Sequence, residues 1–163
     1  MSKPQRYFLQ LAYNGENYHG WQVQDNAETV QQKLQESLST ILREEISVIG
    51  CGRTDTGVHA KDFFAHFDVE KKIPNPAKEV FKINSILPKD IAIYDLFPVD
   101  NETHTRFDAI SRTYEYVISQ EKNPFSQGLA YHFNRPLDLE KMNEAAKHFL
   151  EVEDFSSFSK SGT

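Results

Sequence analysis

The stretch ISVIGCGRTDTGVHAKDFFAHFDV, residues 46–69, contains two apolar runs separated by a polar segment that is bounded by glycines. The runs at residues 46–51 and 63–69 have the length and the branched or aromatic content of β-strands. The segment between them brings Arg53, Asp55 and His59 within seven residues. Such a segment is either a polar turn between two strands or an active-site loop.

A turn is the simpler interpretation of TDTG at residues 54–57. Aspartate and threonine are favoured in turns because their side chains bond nearby backbone amides, and glycine permits a positive φ. A metal site would need Asp55, His59, His66 and Asp68, but these residues lack the compact ligand spacing of zinc sites. The sequence therefore predicts no metal site. Whether the segment is a turn or an active-site loop depends on what the rest of the sequence contains.

Outward from this stretch, two helices and two more strands are predicted. Thr29 with Gln32 forms a capping box at the start of the first helix, and Asn75 followed by Pro76 starts the second. Each helix carries one apolar stripe, formed by Val30, Leu34, Leu38, Ile41 and Leu42 on the first and by Val80, Ile83 and Leu87 on the second. Apolar alternation predicts the strands, at Tyr7, Leu9, Leu11 and Tyr13 and at Ile91, Ile93 and Phe97.

The resulting order, β-α-β-β-α-β, is that of an α+β ferredoxin-like unit with an antiparallel sheet and helices on one face. We expect this unit over residues 1–108. Alternation at residues 112–120 predicts a further strand, and Asp138 caps a third helix. Residues 109–163 are therefore expected to begin a second, similar half that is truncated. The alternative is that the last helix packs on the first sheet and the protein is complete.

Composition indicates an ordinary globular protein. The 163 residues are 39% hydrophobic and 26% charged. No apolar run approaches the roughly 20 residues of a membrane span, the N-terminus lacks a signal-peptide core, and one cysteine cannot form an internal disulfide. These features predict a cytoplasmic protein without a membrane partner. The net charge of −6 argues against a polyanionic partner, but acidic residues concentrate at residues 138–154, so a local basic groove is still open.

Arginines and aromatic residues accompany the loop elsewhere in the sequence. Arg106, Arg112 and Tyr114 lie in RFDAISRTYEY, and Trp21 lies in YNGENYHGWQVQ. Guanidinium groups suit phosphates, and aromatic faces suit unstacked bases, so this combination is typical of an RNA site. The alternatives are core packing for the tyrosines and a surface ion pair for Arg112.

Four motifs together resemble the tRNA pseudouridine synthase A family, in the order and near the spacing of that family. They are YNGENYHGWQVQ, GCGRTDTGVHA, RFDAISRTYEY and FSSFSKSG. The resemblance implies isomerisation of uridine to pseudouridine in the tRNA anticodon stem-loop, at tRNA positions 38–40. It also implies the pseudouridine synthase fold and a homodimer. No cofactor is implied, because nothing is oxidised and no group is lost.

The resemblance assigns roles to individual residues. Asp55 corresponds to the catalytic aspartate, whose carboxylate acts as a nucleophile at either ribose C1′ or uracil C6. Arg53 assists base flipping and pairs with Asp55 when no RNA is bound. Tyr114 lies against the flipped base. The remaining positions, with cleft-lining, loop-shaping or packing roles and possible RNA contact, are Arg106, Arg112, His59 and Trp21.

The family continues well beyond this sequence, so we expect the 163-residue chain to be a fragment with little or no activity. Two other classes of function remain open. An RNA-binding module would not need Asp55. A hydrolase that uses Asp55 and His59 as acid and base would release free uracil or a cleaved product.

Overall fold

The computed structural model describes residues 4–158. The chain divides into two compact units, Met1–Thr113 and Tyr114–Thr163. The predicted division into residues 1–108 and a truncated second half stays a prediction. The last motif, FSSFSKSG at residues 155–162, lies partly outside the described residues. Within residues 4–158, no helix is long and apolar enough to cross a membrane.

The first unit contains a four-stranded antiparallel sheet and two helices, which confirms the predicted α+β class. Along the sheet the strand order is β2-β3-β1-β4. The elements in chain order are β1 (Gln5–Tyr13), α1 (Val30–Leu42), β2 (Ile49–Gly50), β3 (Ala60–Val69), α2 (Pro76–Ile86) and β4 (Ile91–Val99).

The helices begin where the sequence predicts, because the capping side chains bind the expected amides. The Gln32 amide donates to Thr29 Oγ1 at 3.3 Å, and the Lys78 amide donates to Asn75 Oδ1 at 3.1 Å. Each bond satisfies an N–H that the first turn leaves without a helical partner. Apolar residues of both helices then join one core with the sheet, including Leu9, Leu11, Leu34, Leu38, Phe67, Ile83 and Ile93.

The second strand is shorter than predicted, since only Ile49–Gly50 pairs with β3 rather than residues 46–51. Ile46 and Val48 are buried as expected. Their backbone amides, however, donate to side chains of α1, to Ser39 Oγ at 2.9 Å and to Gln35 Oε1 at 3.0 Å. Polar side chains on the helix therefore replace the strand ladder here.

The second unit contains two short strands and one helix, namely β5 (Ile118–Ser119), β6 (Tyr131–His132) and α3 (Leu139–Lys147). The Lys141 amide donates to Asp138 Oδ1 at 3.1 Å, so the predicted cap is present. The strand predicted over residues 112–120 is too long: only β5 pairs, in parallel with β6. A strand extends only as far as a neighbour supplies ladder bonds, and β6 supplies two residues.

Candidate active site

The polar segment forms a loop, residues 51–59, between β2 and β3, and we call it the Asp55 loop. It leaves the sheet after the Cys51 amide donates to the Phe64 carbonyl at 2.8 Å. It then contains a β-turn in which the Val58 amide donates to the Asp55 carbonyl at 3.2 Å. Gly57 has a φ of +78°, the conformation that a type II turn requires at its third position. The loop therefore contains the predicted turn, and this bond and Gly57 fix the backbone conformation of residues 55–58.

A second loop, residues 14–28, packs against the first, and we call it the Trp21 loop. Three backbone amides join the two loops. Trp21 donates to the Thr54 carbonyl at 3.1 Å, Gly57 donates to the Tyr18 carbonyl at 3.2 Å, and Gly15 donates to His59 Nδ1 at 3.1 Å. The Asp55 loop is thus held on both sides of Asp55 by residues that are distant in sequence.

The side chains of Arg53 and Asp55 are exposed on this fixed backbone. Among residues 4–158, neither side chain forms a hydrogen bond or an ion pair, so the predicted pairing between the two is not formed here. With no partner among the described residues, the Asp55 carboxylate is accessible to a substrate, and the loop hydrogen bonds hold the backbone that carries it. That arrangement suits a nucleophile, for which geometry matters as much as chemistry.

His59 and Trp21 have structural contacts that explain their presence in the motifs. His59 accepts the Gly15 amide and so connects the two loops, consistent with a loop-shaping role. Trp21 is only 2% exposed, and its ring centroid lies 4.4 Å from that of Phe63. Beneath it, a Cβ on Gly50 would come within 2.6 Å of the indole. The burial of Trp21 favours packing over contact with RNA.

Tyr18 fastens the Trp21 loop to the turn before β4. Its side chain is 4% exposed, and its hydroxyl donates to Asp90 Oδ1 at 2.6 Å. Burial, followed by the hydrogen bond to Asp90, holds the pKa of Tyr18 well above its ordinary value. Because the Tyr18 carbonyl also accepts the Gly57 amide, this residue supports the turn that presents Asp55.

Replacing Tyr18 with phenylalanine is expected to lower the free energy of unfolding by about 2 kcal/mol, since a hydrogen bond to a charged group contributes roughly 1.5–3 kcal/mol. Urea denaturation followed by the fluorescence of Trp21, the single tryptophan, measures this loss in the first unit. Tyr94→Phe is the matched control, because Tyr94 is 60% exposed. Equal stabilities for the two variants would contradict the assignment.

Arg112 bridges the segment after β4 to the start of the Asp55 loop. Its Nε and Nη2 donate to the Cys51 carbonyl at 3.1 and 2.6 Å, and Nη2 also donates to the Arg106 carbonyl at 3.0 Å. The guanidinium of Arg106 is instead exposed and lies 5.9 Å from the centroid of the Phe107 ring. Arg112 therefore joins the first unit's loops, while Arg106 presents its charge to solvent.

Tyr114 is the first residue of the second unit and is 75% exposed. Of the predicted site residues, Arg53, Asp55, His59, Trp21, Arg106 and Arg112 lie in the first unit. The part of the chain that the structure describes contains no group of three or more histidine, cysteine, aspartate or glutamate side chains that could hold a metal ion.

Sequence reasoning missed a buried polar pair, His66 and Thr105. They are 1% and 4% exposed, and His66 Nδ1 lies 2.8 Å from Thr105 Oγ1. The other ring nitrogen, Nε2, has no partner among the described residues. Burial, with smaller effects from Arg6 and His104, lowers the pKa of His66 to about 4. The only signal in the sequence was a histidine inside an apolar strand.

This shift predicts a loss of stability in acid. Between pH 6.5 and about 4 the unfolded chain binds a proton at His66 and the folded chain does not, so unfolding becomes more favourable as pH falls. Across the whole window, the free energy of unfolding falls by about 3 kcal/mol because of His66. Arg6 lowers the pKa of neighbouring Asp68, whose own contribution is lost only at still lower pH. In this window, the free energy of unfolding from urea denaturation should depend less on pH in His66→Gln than in the wild type. His19→Gln, a change at an exposed position, should keep the dependence of the wild type. An unchanged slope in His66→Gln would contradict the assignment.

The sequence is similar to proteins that are named tRNA pseudouridine synthase A. No family model matches the sequence. The tRNA pseudouridine synthase A of Parabacteroides distasonis is 49% identical over 155 residues, which is 95% of this chain and 62% of that protein. The protein of the same name from Azobacteroides pseudotrichonymphae is 50% identical over 155 residues, and that of a Thermoanaerobacter species is 40% identical over 155 residues. The chain thus spans less than two thirds of the length of these relatives.

Proposed function

We propose, from the premise that this chain belongs to the tRNA pseudouridine synthase A family, that it forms part of an enzyme that isomerises uridine to pseudouridine in tRNA. The similarity over nearly the whole chain carries the proposal. The carboxylate of Asp55 supports it, because it is exposed, has no partner within residues 4–158 and lies on a loop fixed from both sides. The target uridines are those of the anticodon stem-loop, at tRNA positions 38–40.

Asp55 is the nucleophile of the proposed reaction. Its carboxylate adds to ribose C1′ or to uracil C6, the N1–C1′ bond breaks, and the uracil turns while it is held. A bond then forms between C5 and C1′, the bond between Asp55 and carbon breaks and frees the carboxylate, the proton at C5 leaves, and N1 gains a proton. Substrate and product are isomers, so the balance needs no oxidant, no reductant and no further group.

The other site residues prepare the base for Asp55. A base within folded RNA has to leave its stack, at a cost of a few kcal/mol, and Arg53, exposed two residues before Asp55, assists that step. Arg106 contributes positive charge for a phosphate. Tyr114 lies against the flipped base, and His59, Trp21 and Arg112 hold the loops in place. These roles rest on the family resemblance together with the contacts given above.

The first unit, we infer further, has the ferredoxin-like topology of the pseudouridine synthase fold. Its element order and its strand order, β2-β3-β1-β4, support this. The second unit is the beginning of a similar half. The whole protein acts as a homodimer in the cytoplasm, and the 163-residue chain alone has little or no activity.

The test is release of tritium from tRNA labelled at uracil C5. It compares the 163-residue chain with an extended chain, in which the remaining C-terminal part of the Parabacteroides distasonis relative is joined to it. Release by the extended chain alone is the expected result. Absence of release by both, with tRNA still bound, would favour an RNA-binding module and contradict the proposal.

A further inference from the structure

We call residues 101–111, the segment after β4, the connector, and its first half is hydrogen-bonded to the sheet. At its start the Arg6 amide donates to Asn101 Oδ1 at 3.0 Å, and Arg6 Nη1 donates to the Thr103 carbonyl at 2.9 Å. Arg6 is held in turn by two 2.8 Å bonds to Asp68 on the neighbouring strand. The connector therefore begins on an anchor formed by β1 and β3.

The middle of the connector is held by a buried hydrogen-bond cluster. Thr105 Oγ1 lies 2.8 Å from His66 Nδ1 and 3.1 Å from the Ile49 carbonyl, which it can reach as a donor. One hydroxyl thus joins the connector to both β2 and β3. Because His66 and Thr105 are almost fully buried, water cannot replace these bonds without opening the connector.

Arg112, the residue directly after the connector, joins it to the Asp55 loop. The residue after Thr105 is Arg106, whose carbonyl accepts from Arg112 Nη2 at 3.0 Å, and Arg112 also binds the Cys51 carbonyl. A Cβ on Gly52 would lie 3.3 Å from Arg112 Nε, so the guanidinium is in direct contact with the loop. Thr105 is therefore the last buried attachment before the two arginines.

We propose that Thr105, held by His66, is a positioning residue for RNA binding: it fixes the connector so that the exposed Arg106 has one orientation relative to the Asp55 loop. This inference rests on the proposed function. If the backbone that carries a long cationic side chain is already fixed, less conformational entropy is lost when the side chain binds a phosphate. Thr105 touches neither RNA nor the reacting atoms in this scheme, and its effect passes through Arg106.

The experiment uses the extended chain with Thr105→Val, which removes the hydroxyl at nearly constant shape, and Thr105→Ser, which keeps it. The first readout needs no RNA: trypsin cleavage after Arg106 and Arg112, both exposed, reports opening of the connector. Thr105→Val should be cleaved about tenfold faster under native conditions, as loss of a buried hydrogen bond predicts, and Thr105→Ser should resemble the wild type.

The second readout is the affinity for an anticodon stem-loop RNA at one fixed salt concentration, measured for Thr105→Val, Arg106→Ala and the double variant. Thr105→Val should weaken binding about tenfold, and the double variant should bind about as well as Arg106→Ala alone, because the two changes remove the same contact. If Thr105 had a purely structural role, the loss of RNA affinity in the double variant would instead be the product of the losses in the two single variants.

Three outcomes overturn the proposal. The first is a double variant whose loss of RNA affinity is the product of the two single losses. The second is trypsin cleavage of the connector that is no faster in Thr105→Val than in the wild type. If the extended wild type does not bind the RNA, the proposed function fails and the positioning role fails with it. RNA binding by the extended wild type separates that case from the first two, and the cleavage rates test the Thr105 attachment without any RNA.

Discussion

Replacing Asp55 with asparagine in the extended chain is expected to lower the rate of pseudouridine formation by at least about 10³-fold, as loss of an essential nucleophile does in other enzymes. The amide keeps the size and much of the polarity of the side chain, but it lacks the negative charge that attacks carbon. Because the loop backbone is fixed by Trp21, Gly57 and their partners, the substitution should leave the fold and the affinity for tRNA nearly unchanged.

Two further variants make this expectation specific. Asp25→Asn removes another exposed aspartate, from the Trp21 loop, and should retain the wild-type rate. Asp55→Glu keeps the charge but moves it by one methylene group, and a displacement of about 1 Å can cost roughly 100-fold in rate. More than a tenth of the wild-type rate in Asp55→Asn would remove Asp55 from the role of nucleophile.

Replacing Gly20 with alanine is expected to destabilise the first unit by about 3 kcal/mol, from αL strain together with overpacking. Gly20 has a φ of +84°, and a Cβ there would overlap the carbonyl of Thr54, which already accepts the Trp21 amide. The obstacle is backbone rather than a flexible side chain, so relief requires the two loops to separate. Urea denaturation followed by Trp21 fluorescence measures the change.

Gly57→Ala separates the two contributions to that loss. Gly57 has a similar φ of +78°, but a Cβ there would meet nothing within 4 Å. Its substitution should therefore cost only the strain of a left-handed residue, about 1 kcal/mol. If the two alanine variants were equally stable, the close packing of the Trp21 loop on the Asp55 loop would be contradicted.

The first unit could be predicted well from sequence because its signals are local. Caps such as Thr29 and Asn75 and alternation such as that of β1 each depend on a few neighbouring residues. The short β2 could not be predicted, since the amides of Ile46 and Val48 bind side chains of α1 that lie 7 and 13 residues earlier, and no sequence pattern indicates these bonds. Residues 112–120 alternate like a strand, but alternation does not supply a neighbouring strand with which to pair.

In the candidate site, too, features that depend on neighbouring residues could be predicted, and contacts between residues far apart in sequence could not. The turn around Asp55 follows from glycine, aspartate and threonine, and the arginines stand out by their charge. The positions of the arginines were not predictable, because Arg112 bonds to a carbonyl 61 residues away. His66 and Thr105, 39 residues apart, carry no motif that would associate them.

The most direct test of the central claim is the nucleoside composition of tRNA treated with the extended chain, determined by enzymatic digestion and chromatography. We expect that uridine is lost and pseudouridine appears in equal amount, without free uracil, and that extended Asp55→Asn produces neither change. Free uracil would show a hydrolase, and bound tRNA with unaltered uridine would show an RNA-binding module. Either result would contradict the assignment of Asp55 as the nucleophile of a uridine isomerase.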